Sequence, residues 1–373
     1  MKFNLSSKQL FQGLSAVSGA VPSKATLPIL ETILFETDSG KLKLTATDLE
    51  ISITKHVDAD IEEEGAVAIP AKRLLDALRQ LPDIPVHFSV DEDQHIEFTT
   101  DKGTYKLVGE DADDFPETPE LDSGEDLDMD ASALQKVIKK TLFAVSNDDL
   151  RPAMMGVYFE MGADESRFVA TDGHRLVRYL RTDITAEEPF SFIVPDKALS
   201  LIQKTIEGDE ARMTVTQGHA RFTSGDTALI TRLINDQYPN YESVIPKDND
   251  KTMQVNREQM LATVNRVSIF SSSTTRQIRI KVTEDNLNIR AEDIDMSSEA
   301  SEVISCEYSD EQLEIGFNAR YLGDVLGNID DEEVQFEFST PNRAGIIRPT
   351  EESDVEQIMM LVMPVMLNNY ANE

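Results

Sequence analysis

Four landmarks recur three times along this chain of 373 residues, always in the same order. An alternating strand feeds an amphipathic helix at FNLSSKQLFQGLSAV from Phe3, LDMDASALQKVIKKTLFAV from Leu127 and MQVNREQMLATVNRVSIF from Met253. A short strand runs to an acid in LKLTATDLEI from Leu42, SRFVATDGHRL from Ser166 and LNIRAEDIDM from Leu287. A further strand, polar turn and helix come next in VAIPAKRLLDALRQL from Val67, FIVPDKALSLIQKTI from Phe192 and IGFNARYLGDVLGNI from Ile315. DFPETPEL, QYPNYESV and VMPVML close the three units. Matching positions such as Asp48, Asp172 and Asp293 stand about 120 residues apart, far beyond the period of a solenoid. Four landmarks in register do not arise by chance, so the chain reads as a triplicated domain.

The expected domains are 1-122, 127-246 and 252-373. The joints at 116–126 and 239–251 are rich in Pro, Gly and acid, as linkers are. Within each unit the order is strand, helix, several strands, helix, several strands. Stretches such as KLKLTATDLEISI alternate apolar and polar residues, which suits antiparallel sheets with one covered face. In the second unit Leu134, Val137, Ile138, Leu142 and Val145 recur at helical spacing. The expected class is α+β, two helices packed on sheets in each of three tandem copies.

Composition narrows the function. The net charge of −34 argues against a protein that grips nucleic acid by bulk attraction. The few basic residues are segregated: the six predicted helices carry a net positive charge on this acidic chain. Lys136, Lys139 and Lys140 fall at i, i+3 and i+4, roughly opposite the apolar face of their helix. A solvated helix face is the plain reading, and a surface turned toward phosphates the sharper one. The single Cys306 excludes an intrachain disulfide and reads as a small packed side chain in the strand EVISCEY. No apolar run is long enough to span a membrane and the N-terminus lacks a long apolar stretch, so a cytoplasmic chain is expected.

TDGHRL invites a catalytic reading through Asp172 and His174. A turn explains the same residues, because Gly permits positive φ and Asp can bond its own backbone. TATD and RAED hold the equivalent places in the other units without His. An acid-base enzyme would need an orienting partner and a nucleophile or metal, and none stands at a recognisable spacing. His87, His95 and Glu97 fall on alternating strands and are not read as metal ligands. The sequence carries no phosphate loop of the GxxxxGK type. No catalytic residue, metal or cofactor is therefore expected.

Taken with the triplication, TLPIL at Thr26–Leu30, TDGHRL at Thr171–Leu176, GFN at Gly316–Asn318 and VMP at Val362–Pro364 resemble the bacterial DNA polymerase sliding clamps, the beta subunits of polymerase III. The resemblance covers essentially the whole chain. It implies a head-to-tail homodimer closing a six-domain ring around double-stranded DNA, without sequence preference and without chemistry of its own. Closure would satisfy a heterologous contact and leave no free sheet edge. Lys24, Lys72, Arg73, Arg79 and Lys136 would face DNA, with Lys139, Lys140, Lys197, Arg257 and Arg266. Weak phosphate attraction suits a ring that must slide.

The resemblance also implies a groove for short peptides from the replicative polymerase catalytic subunit, the clamp loader and repair and translesion polymerases. Thr171, Gly173, His174, Arg175 and Leu176 would form it with Arg151, Met154, Pro239 and Val244. Asn318, Tyr321, Leu361, Val362, Met363, Pro364 and Val365 would complete it. Ser243 and Met366 stand where family members frequently have Arg, and the terminal NNYANE is a further departure that could lie over the groove. At the dimer contact, Tyr105 and Leu107 would meet Ile269 and Phe270, with Lys102 and Lys106 facing Glu299 and Glu302. Two rival readings compete with the ring, a monomeric three-domain scaffold and an acid-base enzyme.

Overall fold

The computed structural model describes residues 1–367 apart from Ser39, Asp122 and Glu352. The NNYANE tail lies outside the described residues. Six α-helices occur among the described residues: α1 (Ser7–Val17), α2 (Ala71–Arg79), α3 (Ala131–Thr141), α4 (Asp196–Thr205), α5 (Arg257–Ser268) and α6 (Ala319–Gly327). They fall where the repeated landmarks place them. The second repeat differs most, because Leu142–Ala144 tightens into a 3-10 turn instead of continuing α3.

Each repeat starts its first helix with the same device. Ser6 accepts from the backbone N–H of Gln9 at 3.1 Å, and Gln9 returns a bond to the backbone of Ser6. Asp130 accepts from Ser132 N at 2.7 Å, and Asn256 from Gln259 N at 3.0 Å. Such caps satisfy backbone donors that a helix N-terminus otherwise leaves open.

The chain forms two compact units, residues 1–135 with 197–233 and residues 136–196 with 234–373. In the first, a five-stranded sheet is built from Lys2–Ser6, Asp60–Glu63, Pro85–Val90, His95–Thr99 and Thr104–Val108. Its inner face carries a row of stacked rings, Phe3 on Phe88 at 4.7 Å through to Phe98 on Tyr105 at 4.6 Å. An eight-stranded antiparallel sheet joins strands of the first and second repeats. Thr227–Arg232 pairs with Ile51–Asp58, aligning Leu229 with Ile53. Helix α1 packs on α2 and on this sheet. A Cβ on Gly13 would lie 2.6 Å from Val57 Cγ2, so the helix can approach only because Gly stands there.

The second unit repeats the plan. A nine-stranded antiparallel sheet joins the second repeat to the third through Arg175–Arg181 and Glu356–Val362, with Leu176 opposite Leu361. A four-stranded sheet holds Gln277–Thr283, Asn286–Asp293, Ser298–Ser305 and Leu313–Asn318. Helices α5 and α6 pack together. The strand expected through EVISCEY breaks at Cys306: Ser298–Ser305 belongs to the smaller sheet and Glu307–Tyr308 to the larger. The Cys306 side chain is buried, and burial pushes its thiol up to about 11.

Candidate functional site

TDGHRL forms the connection between the strands Ser166–Thr171 and Arg175–Arg181. Thr171 Oγ1 donates to the carbonyl of Arg175 at 2.7 Å and accepts from Gly173 N at 3.1 Å. Asp172 Oδ1 accepts from the backbone of His174 at 2.9 Å and of Arg175 at 3.0 Å. Gly173 sits at φ +88°, in the left-handed region that Gly adopts without strain. The carboxylate expected of an acid-base catalyst is thus occupied in closing a turn.

Arg175 is the polar centre of the region. Its buried guanidinium donates to Asp172 at 3.2 Å, to Asp324 and to the carbonyl of Phe143 at 2.6 Å. It also lies over the rings of Phe143 and Tyr321, 5.4 and 5.1 Å from their centres. The planar fork of Arg matches several acceptors at once, which a Lys would not do. Its role is therefore mainly to tie the turn to α6. His174 is exposed and stacks on Tyr321 at 5.5 Å.

Beside this turn lies an open hollow of about 560 Å³. Of the predicted residues, Met154, Thr171, Gly173, Arg175, Leu176, Pro239, Val244, Leu361 and Met363 line it. Its floor is a packed cluster with Val169, Leu176, Tyr238, Tyr241, Ile346 and Leu361 buried. Burial pushes the Tyr238 phenol well above its usual range, so it stays a neutral hydrogen-bond donor, reaching the Val169 carbonyl at 3.3 Å.

The remaining predicted residues lie outside the lining. Arg151 pairs with Asp148 at 2.9 Å, and that carboxyl is held below its usual range by the Leu150 N–H and by Arg151. Asn318 caps α6, accepting from Arg320 N and donating to the Thr275 carbonyl. Val362, Pro364 and Val365 belong to the segment that runs past His174, whose carbonyl accepts from Met363 N at 2.8 Å. Val365 then bridges to Gly316. Tyr321 reaches the region through the His174 ring and the Arg175 guanidinium.

Sequence reasoning missed one wall of the hollow. Asn240, Tyr241, Ser243, Ile245, Pro246, Lys247 and Asp248 line it, together with Asn342, Arg343 and Ala344. The first seven sit in the stretch read as a linker, of which only Pro239 and Val244 were expected in the groove. Two aromatics, Tyr238 just before it and Tyr241 inside it, were the available signal that this segment packs.

The basic residues expected to face DNA divide sharply. Lys24, Lys72 and Arg73 are exposed, with no ion pair among the described residues. Arg79 pairs with Asp76, Lys136 with Glu356, Lys139 with Asp330 and Lys197 with Asp48, all from exposed positions. Lys140 is a correction: it is buried, not opposite the apolar face. Its ammonium donates to the Asn328 carbonyl at 2.8 Å and to Asp330 at 2.6 Å, because a buried cation must be paired. Arg257 is also turned inward, onto the carbonyls of Asp331 and Leu326. Arg266 holds Glu302 at 2.6 Å.

At the residues expected to meet a second copy, Lys102 and Lys106 are exposed while Tyr105 and Leu107 are half-buried on the last strand of the five-stranded sheet. Ile269 and Phe270 are 77% and 41% exposed, unusual for such residues. The expected acidic partners already have intrachain cations, Glu299 with Arg290 and Glu302 with Arg266, and Lys106 holds Glu97. No set of three or more His, Cys, Asp or Glu among the described residues is placed to hold a metal. No helix there is long and apolar enough to cross a membrane.

Tandem, similar two-helix units joined through shared antiparallel sheets, with no reacting group at the conspicuous turn, define a polymerase-clamp architecture. Family models for the DNA polymerase III beta subunit match its N-terminal domain at 1–119, its central domain at 128–240 and its C-terminal domain at 242–363. The chain is 33% identical to the beta sliding clamp of Synechococcus elongatus over 99% of its own length and 100% of that protein. It is 33% identical to the beta sliding clamp of Pseudomonas aeruginosa, over 98% and 100%. A crystal structure of the Pseudomonas aeruginosa clamp bound to griselimycin superposes with a TM-score of 0.93 at 31% identity, over 98% and 100% of the two chains. The chain belongs to the bacterial DNA polymerase III beta-subunit family, the beta sliding clamps. Its activity is that of a non-catalytic processivity factor that tethers a polymerase to DNA, which removes the acid-base reading of Asp172 and His174.

Proposed function

We propose that two copies of this chain close head to tail into a ring of six similar domains, bounded near 1-122, 127-246 and 252-373, around duplex DNA in the cytoplasm. The observation that carries this reading is a pair of open sheet edges. Thr104–Val108 ends one sheet and Ser298–Ser305 ends another, and each exposes an apolar residue, Val108 at 61% and Val303 at 59%. Long unpaired edges template pairing with another chain, so soluble proteins rarely leave them open. Ile269 and Phe270 supply further exposed apolar surface for the same contact.

Exposed Lys24, Lys72, Arg73, Lys136 and Lys139 support a weak, sequence-independent attraction to phosphates on an otherwise repulsive chain. The hollow beside Arg175 supports binding of short peptides from the replicative polymerase catalytic subunit, the clamp loader and repair and translesion polymerases, its apolar floor taking side chains and its turn donors orienting backbone. Met154 and Met363 adapt readily to differing partners.

The test combines mass determination and small-angle scattering at several salt concentrations with retention on DNA. A particle of twice the 41.7 kDa chain mass with a central void, held on circular DNA and lost when the circle is cut, is the expected result. A compact monomer with no retention would leave only a three-domain scaffold.

A further inference from the structure

We propose that Arg343, held by Asp248 at the rim of the hollow, selects partner peptides that carry a carboxylate next to their apolar anchor. The inference rests on the peptide-groove reading and deepens it. The rim charges come from two separate segments, Lys247 and Asp248 from one and Arg343 from the other. The rim carries two cations and one anion, so it is net positive on a chain of net charge −34. Elsewhere the lining is apolar or neutral except for Arg175, and that guanidinium is already committed to Asp172, Asp324 and a carbonyl. The free positive capacity of the hollow therefore lies at this rim.

The pair is built to exchange. Arg343 donates to both carboxylate oxygens of Asp248 through Nη1 alone, so Asp248 engages only one nitrogen of the guanidinium. Both partners remain half exposed or more, at 50% and 66%. Exposed ion pairs are worth only about 0–1 kcal/mol, so an incoming carboxylate can displace Asp248 at little cost. The segments that carry the pair are fixed to each other. The Asn249 amide donates to the Glu337 carbonyl at 2.8 Å and to the Ala344 carbonyl at 3.2 Å. Arg343 N donates to the Thr340 carbonyl, closing its own turn. A peptide whose apolar side chains fill the floor beside Leu176 and Leu361 would bring its neighbouring residue to this rim.

A displayed library of ten-residue random peptides, selected in parallel on the full-length protein and on Arg343→Ala, tests this. Wild type should return sequences with apolar anchors followed closely by Asp or Glu, enriched roughly fivefold over Asn and Gln, about what one exposed pair can supply. Arg343→Ala should keep the anchors and lose the acid. Asp248→Ala should sharpen the acidic preference, because it removes the internal competitor. Apolar anchors with no acidic preference in wild type would overturn the role of Arg343 and leave the groove intact. An acidic preference unchanged in Arg343→Ala would also overturn it, placing the selecting cation elsewhere. Absence of any apolar anchor would instead overturn the groove.

Discussion

The turn at 47–51 and the turn at 171–175 are the same structure made from different residues. Thr47 Oγ1 donates to the Ile51 carbonyl at 3.0 Å, as Thr171 does to Arg175. Leu49 N donates to Thr47 Oγ1 at 3.1 Å, as Gly173 N does to Thr171. Asp48 accepts from the backbones of Glu50 and Ile51, as Asp172 does from His174 and Arg175. Even the left-handed residue recurs, at φ +78° for Leu49 and +88° for Gly173. Thr and Asp are thus required by the turn, in both places. The second copy differs at the last residue of the turn, with a buried Arg175 where the first has a buried Ile51. The turn leaves its last three positions free to differ, Leu49, Glu50 and Ile51 against Gly173, His174 and Arg175.

Removing that difference should have the largest effect. Arg175→Ala leaves Asp324, Asp172 and the Phe143 carbonyl without their common donor. Breaking a buried pair by deleting one partner costs about 3–5 kcal/mol. Asp324 retains some solvent access, which places the expected loss near the lower end. Chemical unfolding combined with hydrogen exchange should show the loss concentrated in residues 136–196 and 234–373. A loss spread evenly over both compact units would break the view that Arg175 ties the turn to α6.

The two threonines sharpen the likeness. Thr47→Ala and Thr171→Ala each delete one donor and leave a buried carbonyl and a part-buried N–H with fewer partners, at a cost of about 1–3 kcal/mol. Thr47→Ala also takes the acceptor from the buried Ser52 hydroxyl, 2.8 Å away, so its loss should be the larger of the two. Equal losses would mean that the Ser52 bond adds nothing to the first turn.

Acid should act on the seam of the second unit. Tyr179 and Arg181 both bond Glu356, at 2.6 and 2.8 Å. Burial alone would raise the Glu356 carboxyl, but the Tyr179 hydroxyl, Lys136 and Arg181 bring it below its usual range. A carboxyl depressed in the folded state contributes stability above its unfolded value near 4.3 and loses it as pH falls through the folded value. Glu356→Gln should therefore be less stable than wild type at pH 7, and the gap should close by about pH 3. A gap that stays constant with pH would assign the effect to packing.

Much of this was legible from the residues. The triplication exposed the six helices; the caps Ser6, Asp130 and Asn256 went unread, although a polar residue of this kind before an apolar period is a start signal. The strand alternation exposed the sheets. Three features were not legible. Pairing of Thr227–Arg232 with Ile51–Asp58 is a long-range choice that no local pattern encodes. Lys140 sits at a spacing that looks exposed, yet Asp330 and the Asn328 carbonyl, far away in sequence, make its burial favourable. The second wall of the hollow comes from a Pro- and acid-rich segment whose composition reads as linker, although Tyr238 and Tyr241 anchor it in the core.

The smallest expected effect separates the two turns most cleanly. Leu in the left-handed region costs roughly 1–2 kcal/mol, so Leu49→Gly removes strain. The same change frees the unfolded chain, which costs about 0.4–1 kcal/mol, and deletes a side chain that is 56% exposed and packs only partly. These terms nearly cancel, and the thermal midpoint should move by no more than a degree or two. The reverse change, Gly173→Leu, has no such compensation. It introduces the left-handed strain, and its Cβ would stand 2.8 Å from the Arg151 guanidinium, displacing that side chain. Its cost should exceed about 1 kcal/mol. Equal effects of the two exchanges would show that the residue, not the Thr and Asp hydrogen bonds, sets the turn, and the two sites would then share a shape for different reasons.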